Sequence, residues 1–249
     1  MIHTIQPREL FVPGTIKPES DYEEFARLGA KLGLPCPQAH ITLESFDASG
    51  KLVDRYSERS RTLNRNYWNW LFKHFGGFIT SVSGATVTLA LAADTTYGAG
   101  HLTNSSIAGV VANTNATNFG GGPVVIGSLG STAAGLVVGT GTGAESFEGV
   151  ALGALVAHGT GAGQMSYQAM TIGIPTYNAG TLTWTWAATR ILNNNSGGTI
   201  VVGETGVYGY QAVAGVTYMI MRDLLGATVS VLSGGQVTVT YTMTLVYPA

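Results

Sequence analysis

From about residue 79 onward, apolar and polar residues alternate with a period of two. Val87, Leu89 and Leu91 alternate with Thr86, Thr88 and Ala90, and Leu182, Trp184 and Trp186 with Thr181, Thr183 and Thr185. The longest run sets Val237, Val239, Tyr241, Met243 and Leu245 against Thr238, Thr240, Thr242 and Thr244. A period of two sends successive side chains to opposite faces of a strand, so each run predicts one buried and one outward face, as in antiparallel sheets. Glycine- and asparagine-rich breaks at 120–123, 139–143, 159–163, 193–198 and 234–235 punctuate these runs. Such breaks predict turns between short strands. The expected fold is mainly β: an antiparallel β-sandwich, jelly-roll-like, over residues 79–249.

The front of the chain reads differently. Residues 1–39 are broken by Pro7, Pro13, Pro18, Pro35 and Pro37 and predict an extended arm. Within it Ser20 or Asp21 caps a short helix carrying Tyr22, Phe25, Ala26 and Leu28, closed by Gly33. Residues 40–78 predict a hairpin, with Ile41, Leu43 and Phe46 on one strand, a turn at Asp47–Gly50 and a return over Leu52–Tyr56. A helix is expected over Leu63–Phe75, because Leu63, Tyr67, Trp70 and Leu71 share one face and Trp68, Phe72 and Phe75 the next. So aromatic a helix has to be buried on several sides, which makes Trp68, Trp70, Phe72 and Phe75 core or assembly residues, along with Trp184, Trp186 and Tyr241.

Charge changes the picture by where it lies. Only 10% of the 249 residues are charged, with 12 Lys and Arg against 14 Asp and Glu. From His74 to the end only Asp94, Glu145, Glu148, Arg190, Glu204, Arg222 and Asp223 remain. Where a soluble sheet usually places Lys or Glu, the outward positions here hold threonine, which fits β geometry without repelling another sheet. Such a surface is poor at keeping copies apart and suited to being covered by them. A net charge of -2 offers no field for nucleic acid, and no apolar run reaches the length that crosses a bilayer. Neither nucleic acid nor membrane is an expected partner. No secretory leader is read in MIHTIQPREL, and the single cysteine, Cys36, has no partner for a disulfide within the chain.

Candidate chemistry is sparse. Residues 136–144, LVVGTGTGA, fit a strand followed by G-x-G-x-x-A, but no acid lies between Glu148 and Glu204 to hold a ribose. A turn between strands accounts for those glycines better. The five histidines, His158 in its glycine loop included, lack metal-binding spacing, and no nucleophile elbow or P-loop occurs. Glu145 and Glu148 form the one close acid pair of the β region; a loop role is favoured over glycosidase chemistry. With so few charges nearby, Arg190, Glu204, Arg222 and Asp223 are expected to pair with one another. No catalytic residue, cofactor or metal is assigned.

Several segments together, LVVGTGTG, ALGALVAHGTGAGQMSY, TRILNNNSGGTIVVGETGVYG, YMIMRDLL and GGQVTVTYTM, resemble a group of tailed-bacteriophage virion proteins, as does ITLESFDASGKLVDRYSERSRTLNRNYWNWLF nearer the front. The resemblance covers roughly residues 40–246; a Thr-, Asn- and Gly-rich stretch at 98–135 departs from it and reads as a subunit-specific loop. It implies a particle component, located in the virion and assembled in the host cytoplasm. The expected function is a non-enzymatic structural subunit, a tail or neck accessory protein before a capsid decoration protein, with other virion proteins as partners. Self-association as a trimer is expected by analogy with phage appendages. A receptor- or glycan-binding module, contacting a host-surface glycan, and a cell-wall glycosidase are the alternatives.

Overall fold

The structure is a computed structural model, and it describes residues 18–60, 63–68, 88–89, 101–102, 125–211 and 216–248. The described chain is mainly β, with antiparallel sheets throughout. Helix α1 (Pro18–Leu32) is followed by β1 (Cys36–Phe46), β2 (Leu52–Arg59), β3 (Thr88–Leu89), β4 (His101–Leu102), β5 (Gly135–Gly139), β6 (Ser166–Tyr167), β7 (Thr171–Ile172), β8 (Thr176–Asn178), β9 (Thr183–Asn193), β10 (Ile200–Gln211), β11 (Val216–Val231) and β12 (Gln236–Val246).

The larger sheet runs β2-β1-β12-β9, and β6, β7 and β8 pair in turn along the outer side of β9. A second sheet runs β11-β10-β5, and β3 pairs with β4. Register sets the core: Ile41 lies opposite Tyr241 and Tyr241 opposite Ala188, while Leu43 lies opposite Val239 and Val239 opposite Arg190. Of these, Ile41, Leu43, Ala188, Val239 and Tyr241 share one core with Leu136 and Val138 of β5, Val202 and Tyr208 of β10, and Met219, Met221, Val229 and Val231 of β11. Among the hydrogen bonds that cross between the sheets, Ser45 Oγ donates to the Ser230 carbonyl at 2.8 Å and the Tyr241 hydroxyl to Asp223 Oδ2 at 2.8 Å.

The inward alternation of β12 is found at Val237, Val239 and Tyr241, all buried, and fades at Met243 and Leu245, which are half-buried. The same fading corrects the expectation for β9. Ala188, Arg190 and Leu192 are buried, Trp186 is half-buried, and Trp184, on the same face, is 39% exposed. Sheet β11-β10-β5 covers one end of this face and leaves the other open.

Two further differences lie nearer the front. Helix α1 begins at Pro18, ahead of the expected caps Ser20 and Asp21, because proline fits the first helical position, where its missing N–H is not needed. It ends as expected at Gly33, whose φ of +67° lets Leu34 N bond the Gly29 carbonyl at 2.8 Å. Strand β1 begins at Cys36, so Pro37 and Ala39 are part of the sheet and not of an arm. Of the expected aromatic helix, residues 65–68 are helical; Trp70, Phe72 and Phe75 lie outside the described residues. Trp68, expected to be buried within the subunit or by a neighbour, is 40% exposed in the single chain, stacked edge-on against half-buried Tyr67. The 63–68 segment docks on β11 by its polar groups: the Asn64 and Asn66 side-chain amides both donate to the Met219 carbonyl, at 2.8 and 2.9 Å.

Candidate interaction surface

The charged residues of the β region turn inward. Glu204, on β10, is fully buried and accepts hydrogen bonds from Gly141 N at 3.2 Å, Gly153 N at 3.0 Å, Ala154 N at 2.8 Å and Arg222 Nε at 2.7 Å. Arg222 completes the closure of that loop through the Gly143 and Ala144 carbonyls, at 2.8 and 3.0 Å. One amide of the LVVGTGTGA run, Gly141 N, therefore does bind an anion, together with Gly153 N and Ala154 N, and the anion is the protein's own carboxylate. Side chains at Gly139 or Gly141 would strike Glu204 Oε1, which is why the turn needs glycine there.

Arg190 was expected to pair with an acid and instead binds backbone. Its guanidinium donates to the carbonyls of Gln168 (2.8 Å), Ala134 (3.2 Å), Leu136 (2.9 Å) and Ser128 (2.7 Å), and it lies 4.8 Å from the Tyr167 ring centre. Burial lowers its pKa from the ordinary arginine value, and the Tyr167 contact opposes that shift. Asp223, also fully buried, accepts from Ser60 Oγ at 2.9 Å as well as from Tyr241. Burial first, then the nearby Asp223, push the Tyr241 hydroxyl well above the usual phenol pKa. Burial likewise raises Tyr167 and pushes Tyr208 up to about 12. Of the four residues expected to form ion pairs, only Arg222 and Glu204 join to each other. The signal that Arg190 does otherwise was its place on the inward face of β9, in step with Ala188 and Leu192.

The acid pair is likewise committed. Glu145 Oε1 accepts from Leu224 N at 2.6 Å, and Glu148 pairs with Arg65 at 3.0 Å on the surface. His158 Nδ1 accepts from Tyr167 N at 3.1 Å, which fixes a loop. Among the described residues, no three His, Cys, Asp or Glu converge on a metal position, and no helix is long and apolar enough to cross a membrane.

What the chain beyond Val125 turns outward is therefore almost uncharged. Beyond Val125 the charged residues are Glu145, Glu148, Arg190, Glu204, Arg222 and Asp223; four of these are buried, Glu145 is half-buried and Glu148 alone is exposed. Across the outward face of the larger sheet, register aligns Ser57, Thr42, Thr240, Thr189 and Thr171 in one row. Within that row the Thr42 and Ser57 hydroxyls lie 2.9 Å apart and those of Thr189 and Thr240 3.1 Å apart. No match to this chain is found among protein-family models, curated proteins or solved structures.

The open end of the same sheet carries aromatic rings. Tyr177 lies directly opposite Trp184, with ring centres 5.3 Å apart, and Tyr247 meets Tyr177 edge-on at 6.5 Å. All three are exposed. The cluster is fixed by the β8–β9 turn, where Leu182 holds a φ of +51° and its carbonyl accepts from Tyr247 N at 2.9 Å. A non-glycine residue there costs about 1–3 kcal/mol, so the turn geometry is imposed by its surroundings. Alternation marks Trp184 as a core or assembly residue, and the single chain leaves it exposed because the second sheet stops short of it.

Proposed function

We propose that this chain is a non-enzymatic structural subunit of a tailed-phage virion, a tail or neck accessory protein that acts by self-association and by docking on the particle. The observation that carries the reading is the inward turn of charge: past Val125 one charged side chain, Glu148, is exposed. A neutral threonine and glycine surface meets another copy or a neighbouring subunit with little repulsion and little cost of stripping water from charges. The sheet arrangement is read as a β-sandwich, since both larger sheets contribute to one core. The resemblance of the segments quoted above to virion proteins supplies the particle. Glu145 and Glu148 hold a loop and a surface pair, which favours structure over acid–base work.

Two measurements test the reading. Light scattering over a concentration series is expected to show an oligomer, and antibody labelling of intact virions is expected to place the chain at the tail or neck. A stable monomer that is missing from the particle would overturn the proposal. So would cell-wall hydrolysis that is lost in Glu145→Gln.

A further inference from the structure

Residues 156–167 link the two larger sheets. At one end Val156 N bonds the Val138 carbonyl of β5 at 3.0 Å, and at the other β6 pairs with β9 through Tyr167 opposite Leu192. The glycine-rich loop between them is closed at its base from both sides of Tyr167. On the buried side the Tyr167 hydroxyl donates to the Val156 carbonyl at 2.8 Å. On the other side the Tyr167 backbone N–H donates to Nδ1 of His158, an exposed residue, at 3.1 Å. The Tyr167 carbonyl accepts from Gly130 N at 2.9 Å, and Gly130 leaves the imidazole its room, since a Cβ there would lie 3.2 Å from His158 Nε2.

A backbone N–H can only donate, so this bond exists only while Nδ1 carries no proton. The contact thereby fixes the ring as the neutral tautomer with its proton on Nε2. A second proton, on Nδ1, would set two donors face to face and leave the Tyr167 N–H without an acceptor, since it has no other among the described residues. The neighbouring bonds do not share this dependence: Gly159 N to the Met165 carbonyl, Met165 N to the Ala157 carbonyl and Gln168 N to the Ile191 carbonyl join groups that do not titrate. Nor do the elements around the ring bring an unmatched acid to the added charge, among the described residues. Segments 127–130 and 159–166 hold no ionisable residue, Tyr167 meets the ring edge-on with centres 6.4 Å apart, and Arg190 of β9 lies against the Tyr167 ring as a cation. Glu204, bonded to Gly153 N and Ala154 N, is already matched by Arg222.

We infer that His158 is an acid-sensitive latch on the 157–166 loop. With the ring neutral, the loop base is closed on both sides of Tyr167. As pH falls through the range in which imidazoles take up a proton, about 5 to 8, the outer closure is lost while the buried Tyr167–Val156 bond stays. Acid therefore frees the loop at the surface and leaves the two sheets joined, so the chain presents a different surface in neutral and in mildly acidic surroundings.

Two readouts on the full chain test the latch. Nitrogen NMR of histidine-labelled protein is expected to show His158 at neutral pH as the Nε2–H tautomer. Hydrogen exchange, taken relative to the intrinsic rate at each pH, is expected to show protection of the Tyr167 amide falling about tenfold from about pH 7.5 to about pH 5, the size of one lost hydrogen bond, with β9 and β12 unchanged. His158→Asn, whose Oδ1 accepts and takes no proton, is expected to keep Tyr167 protected at both pH values. His158→Ala is expected to leave it unprotected at both, and melting curves verify that each variant folds. An Nδ1–H ring at neutral pH, wild-type protection that holds in acid, or a pH-dependent fall that survives in either variant overturns the latch.

Discussion

Glu204 shows how one residue can organise a loop that looks like a ligand site. Its carboxylate takes three backbone N–H groups and the Arg222 guanidinium in a place without water access. Removing one partner of a buried pair leaves the other charge unmatched, at about 3–5 kcal/mol. Glu204→Ala is therefore expected to lower the unfolding free energy from denaturant titration by that amount, and the double variant with Arg222→Met to recover part of it. Equal losses in single and double variants would mean that the loop glycines, and not the unpaired arginine, dominate. The buried tyrosines give a second handle. A phenol whose folded pKa is raised stabilises the fold fully below its unfolded value near 10, and that stability is lost as pH rises through the folded value. For Tyr208 the window runs from about 10 to about 12, worth on the order of 3 kcal/mol. Tyr167 and Tyr241 are shifted the same way. Urea midpoints are expected to hold to about pH 10 and fall beyond it, less steeply in Tyr208→Phe.

At the scale of elements, burial depends on which face a residue takes and on how far the opposing sheet extends. Leu43 is fully buried between the sheets, so Leu43→Ala is expected to cost about 2–5 kcal/mol, whereas Thr238→Ala on the outward face should stay within about 0.5 kcal/mol. Reversed magnitudes in thermal or chemical unfolding would mean that the register is wrong. The face assignment was legible in the sequence for β12, because alternation over nine residues admits one register, and the hairpin of β1 and β2 was legible from its Asp47–Gly50 turn. The pairing of short strands β6, β7 and β8 along β9 was not, since two- and three-residue strands carry no period. Nor was the exposure of Trp184: alternation names a face, and only the extent of the neighbouring sheet decides whether that face is covered. The same reason explains Arg190, expected to pair with an acid because so few charges lie nearby, where four backbone carbonyls at the sheet junction take its guanidinium instead.

For the molecule as a whole, the decisive quantity is the charge left on the surface. The charged side chains are concentrated on α1 and the β1–β2 hairpin, while the β region from Val125 exposes only Glu148 and turns hydroxyls, glycines and aromatic rings to the solvent. Association through such a surface draws on apolar burial and hydrogen bonds, not on ion pairs. Screening acts on exposed charges within a Debye length and has little here to act on, whereas sulfate strengthens apolar burial by exclusion from the protein surface. The proposed oligomer is therefore expected to keep its mass from low to high sodium chloride and to form at lower protein concentration in ammonium sulfate. Sedimentation or light scattering across the two salts measures this directly. Dissociation on adding sodium chloride would place the contact instead on the charged hairpin, where Glu44 and Arg55 already lie 3.5 Å apart and a partner's charges would be screened away.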